Sequence, residues 1–159
     1  ISPIGPKARN INKELEFQEG NFNQLAYWMN REIIDDYPLE LNSPVDWTDE
    51  TKDINDRVRS YLDVNCGHCR SPSGNANSTG LYLHLNETRD IHLGVFKKPV
   101  ATGRGSGGLK YSIVPGKPDE SILLHRMISM DPGIMMPESG RALTHEEAVE
   151  MVREWIYGL

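Results

Sequence analysis

The chain has 159 residues, 38% of them hydrophobic, with 14 glycines, 10 prolines, two cysteines and a formal net charge of −6. That length supports one domain with a core plus an extended arm, and the glycine and proline content favours a mainly α core wrapped by long loops. The acidic balance argues against nucleic acid and anionic membrane surfaces as partners, since both demand basic patches.

Residues 1–20 mix Pro, Gly, Asn and charge without periodicity and read as an extended arm, or as the link from something upstream. A start at Ile1-Ser2-Pro3, without Met or a signal core, reads as a mature or truncated product. From Asn23 to Ile34, Leu25, Trp28, Met29 and Ile33 recur at helical spacing, with Asn21 or Asn23 to cap the start and Tyr37-Pro38 to end it. Residues 38–50 read as a linker whose end offers Thr48 and Asp49, with Thr51 just beyond, as caps for the next helix. The expected division is therefore an N-terminal arm over 1–50, with one short helix and a linker, and a domain over 51–159.

Within that domain, Ile54, Val58, Tyr61, Leu62 and Asn65 line one face of a helix from about Lys52 to Cys66, and Ser71-Pro72-Ser73-Gly74 breaks the chain soon afterwards. The runs Leu81–Leu85 and Ile91–Phe96 suggest one small β-hairpin, while Gly103–Gly108 is too glycine-rich for regular structure. Pro118-Asp119-Glu120-Ser121 opens a helix with the buried stripe Ile122, Leu123, Met127, extending to Met130. Thr144 and Glu147 form a capping box for a last helix whose apolar face is Ala148, Val149, Val152, Trp155 and Ile156. No run approaches the roughly 18 apolar residues that cross a bilayer, so no transmembrane segment is expected.

Both cysteines fall in Cys66-Gly67-His68-Cys69-Arg70. Two thiols three positions apart suit covalent haem attachment, in which the following residue is a histidine that ligates the iron. Here it is Arg70, which offers donors but no lone pair. A catalytic dithiol fits less well, because such a pair starts a helix after a strand, whereas this one ends a helix, whose negative pole raises a thiol pKa. Zinc would need Cys66, His68 and Cys69 with one distant histidine, and His84, His92, His125 and His145 each stand alone. Met136-Pro137, on a loop between two helices, has the form of a thioether ligand for the far face of a haem; the plain alternative is core filling. The triplets Asn77-Ser78-Thr79 and Asn86-Glu87-Thr88 match glycosylation acceptors, a pattern common by chance.

From about Asp53 to Leu159 the chain resembles the class I-like cytochrome c domain of bacterial periplasmic proteins. Four ordered blocks carry the resemblance: Tyr61-Leu62-Asp63-Val64-Asn65-Cys66-Gly67-His68-Cys69, Val114-Pro115-Gly116-Lys117-Pro118-Asp119-Glu120-Ser121-Ile122-Leu123, Met135-Met136-Pro137-Glu138-Ser139-Gly140-Arg141 and Trp155-Ile156. The segment Gly5–Trp28 is also similar to the stretch that precedes such a domain in larger bacterial cytochromes. The resemblance implies a helical domain enclosing one haem c, with Cys66 and Cys69 as thioether anchors, Met136 as the distal iron ligand, and electron transfer to a redox partner protein or larger assembly. It departs at Arg70, where the family has the proximal histidine. His68, His125 and His84 are the substitutes to consider, ahead of His145 in its capping turn. Without haem, the same chain would be a structural or binding module stapled by a Cys66–Cys69 disulfide. Either form requires a compartment outside the reducing cytoplasm, periplasmic or at the cell surface.

Overall fold

Two units divide the chain between Val45 and Asp46 in the computed structural model, which describes residues 6–138 and 140–159. The first five residues of the expected arm and Ser139 of the Met136-Pro137 block lie outside the described residues. The fold is mainly α with one small antiparallel hairpin. That hairpin is not in the expected place. It is formed by β1 (Glu14–Phe17), within the stretch expected to be irregular, and β2 (Gly20–Asn23), which runs on from the end of that stretch, paired in the register Glu14↔Asn23 and Phe17↔Gly20.

In the N-terminal unit, α1 (Ala8–Ile11) leads into this hairpin, and Gly20 adopts φ +128 where the chain turns back. Phe17 stacks on Tyr27 with ring centroids 3.8 Å apart, which sets β1 against α2 (Gln24–Asn30). Asn23 caps α2 as expected, its side chain accepting from the N–H groups of Leu25 and Ala26 at 3.0 and 3.3 Å. The helix is shorter than its apolar spacing suggests, ending at Asn30, and Glu32 then takes a positive φ of 57. Asn12 donates to Ser43 at 2.9 Å and so ties the start of the unit to its end.

The C-terminal unit is built on three helices: α3 (Ile54–Asn65), α5 (Ile122–Ile128) and α6 (Glu146–Gly158), with the single turn α4 (Asp90–Leu93) between them. Helix α6 packs on both α3 and α5. Val58 and Leu62 from α3, Leu124 and Met127 from α5, and Val149, Val152, Trp155 and Ile156 from α6 form one buried cluster, completed by Leu83 and Ile113 from the loops. Trp155 Nε1 donates to Asn55 Oδ1 at 3.2 Å, which fixes the crossing of α6 over α3.

Several local expectations change. The unit begins at Asp46, not after residue 50, because Trp47 packs against its core. Asp53 caps α3 by accepting from Asn55 N–H at 2.8 Å, while Asp49 closes its own turn on Thr51. The capping box at Thr144 does not form: α6 starts after His145, and the Thr144 hydroxyl donates to Ile128 O at 3.3 Å. Residues 118–120 make a 3₁₀ turn before α5. The run Ile91–Phe96 holds α4 in place of a strand, and Leu81–Leu85 pairs only through isolated bonds, Tyr82 N–H to His92 O and Leu83 N–H to Arg70 O, both 2.7 Å. Even Gly103–Ser106 forms a short 3₁₀ turn.

Candidate functional site

Helix α3 ends where its apolar face ends, and the two cysteines ride on the turn that follows. Cys66 N–H still bonds Leu62 O at 2.8 Å; Cys69 and Arg70 N–H then both donate to Cys66 O, at 3.1 and 2.9 Å. This places the thiols on one tight turn. Both are free thiols. Glycine is required beside them: a Cβ on Gly67 would lie 2.7 Å from Asp63 O, and one on Gly74 only 2.2 Å from Cys69 O. The loop after the cysteines is thus pressed onto the Cys69 backbone, and Ala76 N–H donates to the same carbonyl at 3.1 Å. Asp63, 1% exposed, accepts from Leu85 N–H at 3.0 Å and holds the next segment against α3.

Cys66 packs on the apolar core. Burial pushes its thiol up to about 12; the Arg70 charge opposes this, and Cys69 adds to it. At neutral pH Cys66 is therefore a thiol and a poor nucleophile, which weighs against the catalytic-dithiol reading. The main cause is desolvation.

Arg70 is half-buried, and its Nη1 donates to Thr79 Oγ1 at 2.8 Å. Burial pulls its pKa below the ordinary arginine value, while Cys66, Cys69 and Glu138 pull the other way. Glu138 belongs to the loop between α5 and α6 that carries Met136. A second link runs through Tyr61, raised to about 12 by burial and by Cys66 and drawn down by Arg141. The cysteine turn and the methionine loop therefore meet through one standing charge pair, Arg70 with Glu138; Tyr61 and Cys66 are uncharged at neutral pH, so their link to Arg141 is one of proximity.

Two arginines shape that loop. Met136 N–H donates to Arg126 O at 2.9 Å, and Arg126 Nε donates to Ile134 O at 2.7 Å. Arg141 donates to Met127 O at 2.5 Å and Met136 O at 2.9 Å, and also to Ser129 O. These carbonyl contacts were not foreseen, because a loop arginine carries no pattern that announces its acceptors. Nor was the ring cluster beside Cys66: the Tyr61 hydroxyl and His145 Nδ1 are hydrogen-bonded at 3.2 Å, and Trp47 stands edge-on to both rings.

The substitute histidines separate. His84 Nε2 lies 3.8 Å from the buried Glu87 carboxylate. His125 Nε2 is buried without a partner among the described residues and is crowded by Gly107, where a Cβ would sit 2.6 Å away. His68 Nδ1 is likewise buried and unpartnered. Among the described residues no group of three or more His, Cys, Asp or Glu is arranged to hold a metal ion, so the zinc set of Cys66, His68, Cys69 and a distant histidine does not assemble.

Tested against haem c, the free thiol pair on one turn fits covalent tethering, and a thioether in a pinned loop fits one axial position. Arg70 does not fit the other, and no imidazole stands in its place on the chain. No family profile matches the chain, and neither a curated protein nor a solved structure matches it.

Proposed function

We propose that the C-terminal unit is a cytochrome c-like electron-transfer domain that tethers one haem c through Cys66 and Cys69. Met136 would supply a thioether ligand to the iron, and the place of the usual histidine, held here by Arg70, would need a non-standard ligand. One observation carries this reading: both free thiols sit on one tight turn at the end of α3, and the Met136 loop, pinned by Arg126 and Arg141, brings Glu138 near Arg70 of that turn. Haem c, when bound, supplies a one-electron iron couple. The chain's own residues tether it, exclude water and set the local field. Cys66 brings one tether into the apolar core. Arg70 holds a permanent positive charge beside both sulfurs, which favours the less positive charge state of whatever they carry.

A second reading has its own support, since Arg70 stands where the family pattern has an iron-binding imidazole and has no lone pair to give. In that reading the domain is haem-free, a Cys66–Cys69 disulfide staples it, and it serves as a structural or binding module. Both readings place the protein outside the reducing cytoplasm, in the periplasm or at the cell surface. The partner under the first is a redox protein or a larger assembly. Among the described residues no helix is long and apolar enough to cross a membrane.

The deciding measurement is an absorption spectrum of protein expressed with export and haem-maturation machinery, before and after acid-acetone extraction, with a non-reducing mass. A Soret band that survives extraction, with a mass increased by one haem, is the expected result. No Soret band and a mass two hydrogens below the bare chain would replace the first reading with the second. Arg70→His restores an imidazole, so the tethered form should shift toward an ordinary His/Met spectrum.

A further inference from the structure

We propose that the surface formed by Phe96, Lys97, Lys98, Lys110 and Tyr111 docks an acidic segment of a partner protein. This goes beyond the electron-transfer reading and holds whether or not haem is present. Charge is segregated along this chain: residues 91–118 hold five Lys or Arg and no Asp or Glu, in a protein of net charge −6. Two of the five are neutralised locally, Arg104 by Asp131 at 3.1 Å and Lys117 by Glu120 at 2.8 Å. Lys97, Lys98 and Lys110 have no side-chain partner among the described residues.

The backbone gathers these three. Phe96 N–H donates to Ile113 O at 2.9 Å and Ser112 N–H to Lys97 O at 2.8 Å, so the Lys97-Lys98 pair runs beside Lys110-Tyr111. Between them Phe96 is 56% exposed and stands edge-on to Tyr111 with centroids 5.8 Å apart. Its φ is 48, a left-handed conformation that a bulky L-residue adopts only at a cost. The ring gains neither easy backbone geometry nor full burial. An exposed aromatic ring amid unpaired ammonium groups suits an acidic peptide surface, where charge steers the encounter and the ring supplies desolvated contact. Three lysines are too few to track a nucleic-acid backbone.

The test is titration of the isotope-labelled full chain with an oligoglutamate peptide at low salt, followed by NMR. Shifts should centre on Phe96–Lys98 and Lys110–Tyr111. Affinity should fall about tenfold in K97E/K98E/K110E and collapse at high salt. Phe96→Gly keeps the backbone, since φ 48 suits glycine, and should weaken binding without loss of stability. Shifts centred on other cations, unchanged affinity in the folded triple variant, or tighter binding of a single-stranded oligonucleotide would overturn the proposal. So would salt-sensitive self-association, because residues 32–51, with seven acids and no base, would then make a second copy the occupant.

Discussion

Arg59 and Arg70 both bring a guanidinium into the C-terminal unit from the α3 segment, and the two are satisfied in opposite ways. Arg59, 8% exposed, donates to three carbonyls, His84 O, Leu85 O and Glu87 O, at 3.0, 2.9 and 2.7 Å. The Glu87 carboxylate adds to its field. Among the described residues Arg70 has one hydroxyl and otherwise only the exposed Glu138 and two thiols, with Arg126 close enough to repel it. A buried charge whose Nη2 meets three fixed carbonyls is architecture, although its Nε has no partner among the described residues. One held by a single hydroxyl beside two sulfurs keeps charge to spare.

Substituting the two arginines tests this contrast directly. Arg59→Ala should cost about 3–5 kcal/mol in urea unfolding, because it strands three carbonyls and a buried carboxylate. Arg70→Ala should change stability by less than about 1 kcal/mol, since it also relieves repulsion with Arg126. Equal losses would erase the distinction.

A smaller effect is expected at Glu87, whose side chain accepts from Thr88 and Arg89 N–H and from the Arg89 guanidinium. The Arg89 contacts hold its carboxyl at about 2, against an ordinary 4.5. Because the folded value is the lower one, the stabilisation is complete above about pH 4.5 and drains away as pH falls through about 2. Glu87→Gln should cost about 1–3 kcal/mol at neutral pH and flatten that acid slope, as read from unfolding at several pH values.

The smallest effect is a rate. In haem-free Cys69→Ser, the remaining Cys66 should alkylate slowly at pH 8, its thiol lying near 12. Adding Arg70→Ala should slow it further, because the guanidinium favours the thiolate. Faster labelling would mean that Arg70 does not face that sulfur.

Much of the C-terminal unit was legible in the chain. The faces of α3 and α6 follow from Val58 and Leu62, and from Val149, Val152 and Ile156, at spacings that only a helix brings to one side. The hairpin was misplaced for a physical reason: Glu14-Leu15-Glu16-Phe17 alternates for only four residues, too short to stand out from an irregular arm, and Phe17 gains its stability from Tyr27, ten residues away. Val95 and Ile113 look like strand residues but meet in one isolated bridge, because Gly94 at φ 111 turns the chain just before it. At the site, the cysteine turn could be read from spacing. Its couplings to Glu138 and Arg141 depend on tertiary folding across more than sixty residues and leave no local trace.

Arg141 sets the tolerance of the whole α5–α6 connection. One planar group grips oxygens from the end of α5, from Ser129 and from Met136, so the thioether inherits its place from a residue five positions downstream. Loosening that grip would free the methionine from its place without altering it, so under the proposed ligation a survey of variants would register the damage at a side chain with no chemistry of its own.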